Sequence, residues 1–359
     1  MPHHPPPDWL ADRVWRLAGT PSGPPEAQLI LLPSGRIGAG WGTNFARWRA
    51  ASSRLVLLDA SGLECVTFGL PAEPADVLHG QTVPSGEPCR LSYLRDVPIL
   101  SPASSAEPPA SGRSNLVILR AGPESLHPAW LHECPEGART WDLCVCTYGA
   151  GTPESAAEHR THYPGSKFEG LSRLLADHGF WRGYDYVWFP DDDLLTDWQT
   201  INRMFELCRA YGLALAQPSL APGSCINHPI TRRTGGGGAG LRFTSFVEIM
   251  APIFSQPALR RLAGSFALNP SGYGLDHLWP AIIDEPPTAI AILDAVSVLH
   301  TRPIGASYDQ ARAMQDGWMI EDAFHQVNRY EVRGVITLRP GGHAKRHGVV
   351  LTPPATAAA

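Results

Sequence analysis

The sequence predicts an α/β fold: a mostly parallel sheet flanked by helices, preceded by a small β-rich module. Three observations carry that expectation. From residue 114 onward, short apolar runs of strand type alternate with segments whose apolar residues recur at helical spacing. Upstream of residue 97, strand-like runs follow one another with turns and no helical pattern between them. The two stretches are separated by Ser101-Pro-Ala-Ser-Ser-Ala-Glu-Pro-Pro-Ala-Ser-Gly112, a low-complexity run that reads as a linker. The expected division is a β-rich module over 1–97 with a disordered start, a linker over 98–113, the α/β domain over 114–340, and a disordered tail over 341–359.

In the first module, Gln28-Leu-Ile-Leu-Leu32 and Arg54-Leu-Val-Leu-Leu-Asp59 are strand candidates. Ala60-Ser-Gly62 turns the chain into Cys65-Val-Thr-Phe68, which makes a hairpin. Trp41, Phe45 and Trp48 are expected to fill a small core.

In the second, Leu116–Leu119 and Leu143-Cys-Val-Cys-Thr147 have the continuous apolar character of buried strands. Cys144 and Cys146 within the latter read as small buried thiols, since the seven cysteines form no CxxC pair. Phe168, Leu171, Leu174 and Leu175 recur at helical spacing, with Gly179 placed to end the helix. Asp185-Tyr-Val-Trp-Phe189 is a strand stopped by Pro190. Ile201, Met204, Phe205 and Cys208 form an i, i+3, i+4, i+7 stripe, with Thr196 or Asp197 as N-cap and Gly212 at the C-terminal end. Leu213-Ala-Leu-Ala-Gln217 follows as a strand. Further on, Phe243–Met250 reads as a strand, Ser255–Gly264 and Asp276–Ile283 as short helices, and Ile290 to His300 as a strand interrupted near Asp294.

Composition narrows the function. The 359 residues are 43% hydrophobic and only 18% charged, below the roughly 25% usual in globular domains. The 35 glycines and 35 prolines mean many turns, but the apolar share is enough for a packed core. A net charge of −5 argues against a polyanion partner, so no nucleic acid is expected. No run approaches the roughly 18 apolar residues that span a bilayer. Met1 to Pro7 lacks the basic start and apolar core of a signal peptide, so the expected location is cytoplasmic.

The most informative string is Tyr186-Val-Trp-Phe-Pro-Asp-Asp-Asp-Leu194. Ligands of open α/β sheets bind at the carboxyl ends of strands, and here a strand ends directly in three acidic residues. In an extended segment Asp191 and Asp193 share a face, a hard oxygen site suited to Mg²⁺ or Mn²⁺. The competing interpretation is a helix N-terminus, which accounts for one or two carboxylates.

Pro190-Asp-Asp-Asp-Leu194, Phe246-Val-Glu-Ile-Met-Ala-Pro-Ile-Phe254, Gly272-Tyr-Gly-Leu-Asp276 and the Asp294 to His300 stretch together resemble the DUF707 family, over about residues 115 to 305. That family is little characterised and is similar to glycosyltransferases of the GT-A fold, a Rossmann-related architecture. The resemblance implies a transferase of the hexosyltransferase type. Its donor would be a nucleotide-sugar, a UDP-sugar first, and its acceptor a carbohydrate or other hydroxyl compound. It implies that Asp191 and Asp193 hold a divalent cation, Mn²⁺ or Mg²⁺, on the donor diphosphate, and that Asp192 contacts the ribose or donor sugar. His300, after the last strand, stands where a third metal ligand is often supplied; a structural histidine is the alternative. Asp276, opening a helix, matches the general base of inverting members, while a helix cap explains it equally.

Glu248, opposite Val247 and Ile249 on the expected strand, is a second candidate base or acceptor contact. Lys167, at a helix start, and Arg232 and Arg233, before Gly235-Gly-Gly-Gly238, are candidate donor-binding cations; a solvated lysine and a surface loop are the plainer accounts. Two other functions share these features: a non-catalytic carbohydrate- or nucleotide-binding protein on a GT-A core, and a metal-dependent phosphoesterase or nucleotidyltransferase.

Overall fold

Two sheets organise the chain. The computed structural model describes residues 7–20, 26–38, 43–51, 53–99, 108–234, 239–303, 310–323 and 331–337. By contact, one compact unit gathers the described residues of 1–98, 277–284 and 318–328, and a second those of 99–276, 285–317 and 329–359. Residues 1–6 of the expected disordered start, Trp41, Gly235 to Gly238, half of the linker (100–107) and the tail (341–359) lie outside the described residues.

The first unit holds β1 (Arg13–Ala18), β2 (Glu26–Leu31), β3 (Phe45–Ala51), β4 (Arg54–Asp59), β5 (Glu64–Gly69), β6 (Val77–Thr82) and β7 (Pro88–Asp96). They form a seven-stranded sheet in the order β2-β1-β7-β6-β5-β4-β3, antiparallel throughout. Bridges Leu31↔Ile37 and Arg36↔Arg47 join the β2 edge to the β3 edge, so the sheet curls into a barrel-like closure that protects both edges. Its core is the alternate residues of successive strands: Trp15 and Leu17, Leu29 and Leu31, Leu55 and Leu57, Val66 and Phe68, with Trp48. Sequence reading misses β1, β3, β6 and β7 because polar residues interrupt their apolar ones, as in Arg13-Val-Trp-Arg16 and Val77-Leu-His-Gly-Gln-Thr82. A strand with one solvated face shows period two rather than a continuous apolar run.

The second unit holds β8 (Asn115–Ala121), β9 (Trp141–Thr147), β10 (His159–His162), β11 (Tyr186–Trp188), β12 (Leu194–Leu195), β13 (Leu215–Leu220), β14 (Ala239–Thr244), β15 (Ile253–Ser255), β16 (Ile290–His300) and β17 (Val332–Thr337). Its helical segments are α1 (His127–Trp130), α2 (Lys167–Asp177), α3 (Trp198–Tyr211) and α4 (Gln256–Leu262); α5 (Leu275–Ile282) and α6 (Gln310–Ala323) begin in this unit, and their residues from 277 and from 318 belong to the first. The sheet order is β10-β9-β8-β11-β15-β13-β16-β14-β17, with β12 pairing β16 off this path. β10, β9, β8 and β11 are mutually parallel, as are β13 and β16. β15 runs against both its neighbours, and β14 against β16 and β17. The expectation of a mostly parallel sheet is therefore corrected to a mixed one. Hydrophobic period reports which face is buried; it carries no information on strand direction.

Local signals place the helices. Asp197 caps α3 by accepting from the Thr200 amide at 2.7 Å, and Gly212 closes it in the left-handed region at φ 60°. The stripe Ile201, Met204, Phe205 and Cys208 is buried, as are Phe168, Leu171, Leu174 and Leu175 of α2. The predicted strand over Phe243–Met250 is corrected: β14 ends at Thr244 and the chain turns through 249–250, where the Ala251 amide reaches the Glu248 carbonyl at 3.3 Å. The interruption near Asp294 is real. β13 and β16 shift register between Pro218 and Ser219, where proline has no amide to donate. Asp294 there is buried against Arg242 at 2.6 Å and also accepts from the Thr234 amide at 3.1 Å.

Candidate metal and transfer site

The acidic run leaves β11 in a turn whose backbone is tied to three other segments. The Asp191 amide donates to the Met250 carbonyl at 2.8 Å. The Asp192 carbonyl accepts from the Leu126 amide at 2.7 Å, and the Asp193 carbonyl from the Thr301 amide at 3.1 Å. The run is thus no helix cap; α3 begins only at Trp198, with its own cap.

β12 then pairs with β16 so that Leu194 faces His300. That register brings His300, 107 positions after Asp193 in sequence, to the carboxylate: Nε2 lies 3.2 Å from Asp193 Oδ2. The other ring nitrogen, Nδ1, faces the Cys225 carbonyl at 2.7 Å and must donate to it, which leaves Nε2 for a ligand role. One oxygen from each of Asp191 and Asp193 and one nitrogen of His300 fall within 4.8 Å of one another. Asp193 Oδ1 is buried with no hydrogen-bond partner among the described residues. Two carboxylates and an imidazole, with one buried oxygen unsatisfied, suit a divalent cation of the Mn²⁺ or Mg²⁺ kind.

The members of the cluster shift one another's protonation. For His300 burial opposes the charge, but the hydrogen bonds to Asp193 and the Cys225 carbonyl and the nearby carboxylates prevail, raising its pKa to about 8. Asp193 is held below the usual carboxylate range despite burial, because His300 and Arg302 stabilise its charge. Asp191 is pushed up by desolvation and by Asp193, with Lys167 opposing, although 36% of its side chain still faces open space.

The three residues open onto a cavity of about 770 Å³, within the usual range of small-ligand sites. Glu248, Asp276 and His228 line the same cavity. His228 Nε2 lies 3.9 Å from Glu248 Oε1 and 4.0 Å from Asp276 Oδ2. Both acids are almost fully buried, and Glu248 Oε2 has no hydrogen-bond partner among the described residues. Burial first, then Asp276, pushes the Glu248 carboxyl up to about 8, while burial pushes His228 down to about 4. Asp276 sits in the first turn of α5, and Glu248 in the loop before β15 rather than on a strand.

The donor-binding cations read from sequence need revision. Lys167 lines the cavity, but its ammonium is committed to Asp191 and to three backbone carbonyls. Arg232 and Arg233 are exposed and take no part in the cavity lining. Their backbone is tied to the end of β13 through the Leu220↔Arg232 bridge and the Arg233 amide on the Leu220 carbonyl at 2.9 Å. Asp192 is likewise occupied: Oδ2 accepts from the Gly122 amide at 2.9 Å, and Oδ1 pairs with Arg302. The cavity's arginines are instead Arg302 and Arg120, both missed in sequence. Arg302 lies two positions past His300, a signal that was readable. Arg120 lies inside the apolar run of β8, where it binds the Tyr163 and Gly165 carbonyls at 2.7 and 2.8 Å, and only the fold reveals it.

The acidic turn, the 246–254 string, the start of α5 and the end of β16 thus converge on one cavity. Residues 178–334 match the DUF707 family model. The family is described as a protein of unknown function. The DUF707 match begins and ends later than the resemblance read from sequence; it includes Asp191, Asp193, Glu248, Asp276 and His300 and leaves Lys167 and Arg120 outside. No curated protein matches the chain. Among solved structures, S. aureus TarS 1-349 in complex with UDP-GlcNAc is 12% identical, covering 58% of this chain and 66% of its own at a TM-score of 0.39. A putative nucleotide-diphospho-sugar transferase from Desulfovibrio desulfuricans G20 is 10% identical, covering 59% and 97% at 0.30. A psychrophilic marine protease MP inhibitor is 14% identical, covering 24% and 96% at 0.20. No helix among the described residues is long and apolar enough to cross a membrane.

Proposed function

We propose that this cavity is the active site of a divalent-cation-dependent glycosyltransferase, which moves a sugar from a nucleotide-sugar to a hydroxyl acceptor. The observation that carries the reading is the Asp191, Asp193 and His300 cluster, with its unsatisfied buried oxygen, on the same cavity as two further buried carboxyls. Those three residues would hold Mn²⁺ or Mg²⁺, which when bound neutralises the charge that grows on a departing diphosphate. The committed state of Lys167, Arg120 and Arg302 supports this: each already serves protein acceptors, so an incoming diphosphate is best compensated through the carboxylates.

On the acceptor side we assign the two carboxyls different roles. Asp276, in the first turn of a helix where a negative charge is favoured, takes the proton of the attacking hydroxyl. Glu248 keeps its proton at neutral pH and serves as a hydrogen-bond donor to the acceptor. His228, neutral at that pH, stands between them.

The test is a panel of nucleotide-sugars, scored for Mn²⁺-dependent thermal stabilisation and then for transfer to a mixed set of hydroxyl acceptors. Stabilisation by a UDP-sugar and product formation are expected, and Asp191→Ala or Asp193→Ala should abolish both. Asp276→Asn should leave stabilisation intact and slow transfer by about 10²–10⁴-fold. Full activity in the Asp191 and Asp193 variants would refute the reading. Hydrolysis of generic phosphoesters without transfer would favour a phosphoesterase.

A further inference from the structure

Lys167 is the first residue of α2, yet its side chain reaches the end of β11 and the turn after Glu248. The ammonium lies 2.6 Å from Asp191 Oδ1, 2.9 Å from the Phe189 carbonyl, 2.8 Å from the Ile249 carbonyl and 3.0 Å from the Met250 carbonyl. Three N–H donors thus meet four acceptors drawn from three places: the residue that follows β11, a proposed metal ligand, and the two residues that follow Glu248. Only 15% of the side chain is exposed. The Met250 carbonyl also takes the Asp191 amide, so the acidic turn and the Glu248 turn are pinned to each other at one point.

We infer that Lys167 is a positioning residue that orients Asp191 for the cation and locks the Glu248 turn to the metal-binding turn. This rests on the divalent-cation reading above. Lys167 occupies one oxygen of Asp191, which makes that carboxylate a one-oxygen ligand with its other oxygen presented. It also ties the two turns together, so a disturbance of the metal turn reaches the acceptor side. The charge of Lys167 taken alone argues the opposite way. A fixed cation beside a ligand repels a second cation, so a purely electrostatic role makes its removal tighten metal binding. The two roles predict opposite signs.

The experiment is a Mn²⁺ titration of the full chain followed by electron paramagnetic resonance of the free ion, for wild type, Lys167→Met and Lys167→Arg, with melting temperature measured on each. Expected is a Lys167→Met protein that stays folded, binds Mn²⁺ about tenfold or more weakly, and shows a raised KM for the acceptor in the transfer assay. Lys167→Arg, which keeps the charge and several donors, should recover part of the Mn²⁺ affinity. Unchanged or tighter Mn²⁺ binding by Lys167→Met overturns the inference. A wild type that binds no Mn²⁺ overturns the metal reading on which it rests, a separate result. Should Lys167→Met fail to fold, Lys167→Gln, which keeps a donor for the carbonyls, is titrated in its place; if neither folds, Lys167 is a strut of the fold and the inference is overturned.

Discussion

The two sheets differ most in what they bury. Between residues 7 and 99, Thr82 is the one polar residue among the buried described residues; everything else in that interior is apolar. The mixed sheet buries Arg120, Asp142, Asp192, Asp193, Arg242, Glu248, Asp276, Asp294 and His300. An ionised group taken out of water is costly unless it is paired, so the interior of residues 7–99 is filled almost wholly by apolar side chains, while the mixed sheet carries a lattice of desolvated charge. Most members of that lattice are matched, as Arg242 is by Asp294 and Arg120 by carbonyls. Its buried side-chain atoms with no partner among the described residues, Arg120 Nε, Asp193 Oδ1 and Glu248 Oε2, all belong to residues that line the candidate cavity. Where a fold leaves a buried acid without a partner, a ligand is the economical explanation.

The contrast can be attacked through its members. The largest effect should come from Arg242→Met, which leaves Asp294 buried without its ion-pair partner. A loss of about 3–5 kcal/mol is expected in denaturant unfolding, and a loss below about 1 kcal/mol would mean that the buried charges of this sheet matter little to its stability. Glu248 provides a second, pH-dependent effect. Its pKa rises on folding from 4.5 to about 8, so the native state holds a proton that the unfolded chain releases. The stability this contributes is present in full below about 4.5 and drains away as pH rises to about 8, at about 1.4 kcal/mol per pH unit. Glu248→Gln should remove that slope in melts between pH 5 and 8; an identical slope in the variant would place the proton elsewhere. Smallest is Thr82→Val. Thr82 meets the Ser85 hydroxyl at 2.6 Å and accepts from the Glu87 amide at 3.1 Å, so about 1 kcal/mol should be lost. A loss as large as that of Arg242→Met would erase the distinction between the two interiors.

Legibility in sequence followed the range of the signal. The α2 and α3 stripes, the Asp197 cap, the Gly212 stop and the hairpin from β4 to β5 could be read because each depends on residues within a turn or two. Alternating strands such as β1 and β7 escaped, since half their residues face outward and dilute the apolar signal. Alternation predicts a strand for Glu248, but a loop before β15 brings it to the cavity. The glycines that follow Arg232 and Arg233 in sequence point to a phosphate loop, but chain neighbours report local stiffness and not which cleft a side chain reaches.

Residue order and short-range chemistry alone account for the acidic turn after a buried strand, the helices on either side of it and the DUF707 likeness over residues 178–334. Long-range pairing in the folded chain sets β14 and β15 against their neighbours, fixes the β12–β16 register that places His300 on Asp193, and brings the Lys167 ammonium to Asp191. Those outcomes depend on pairing between segments up to about a hundred residues apart. Such pairing is selected by the summed burial and hydrogen bonding of the whole sheet, which no local stretch of sequence encodes.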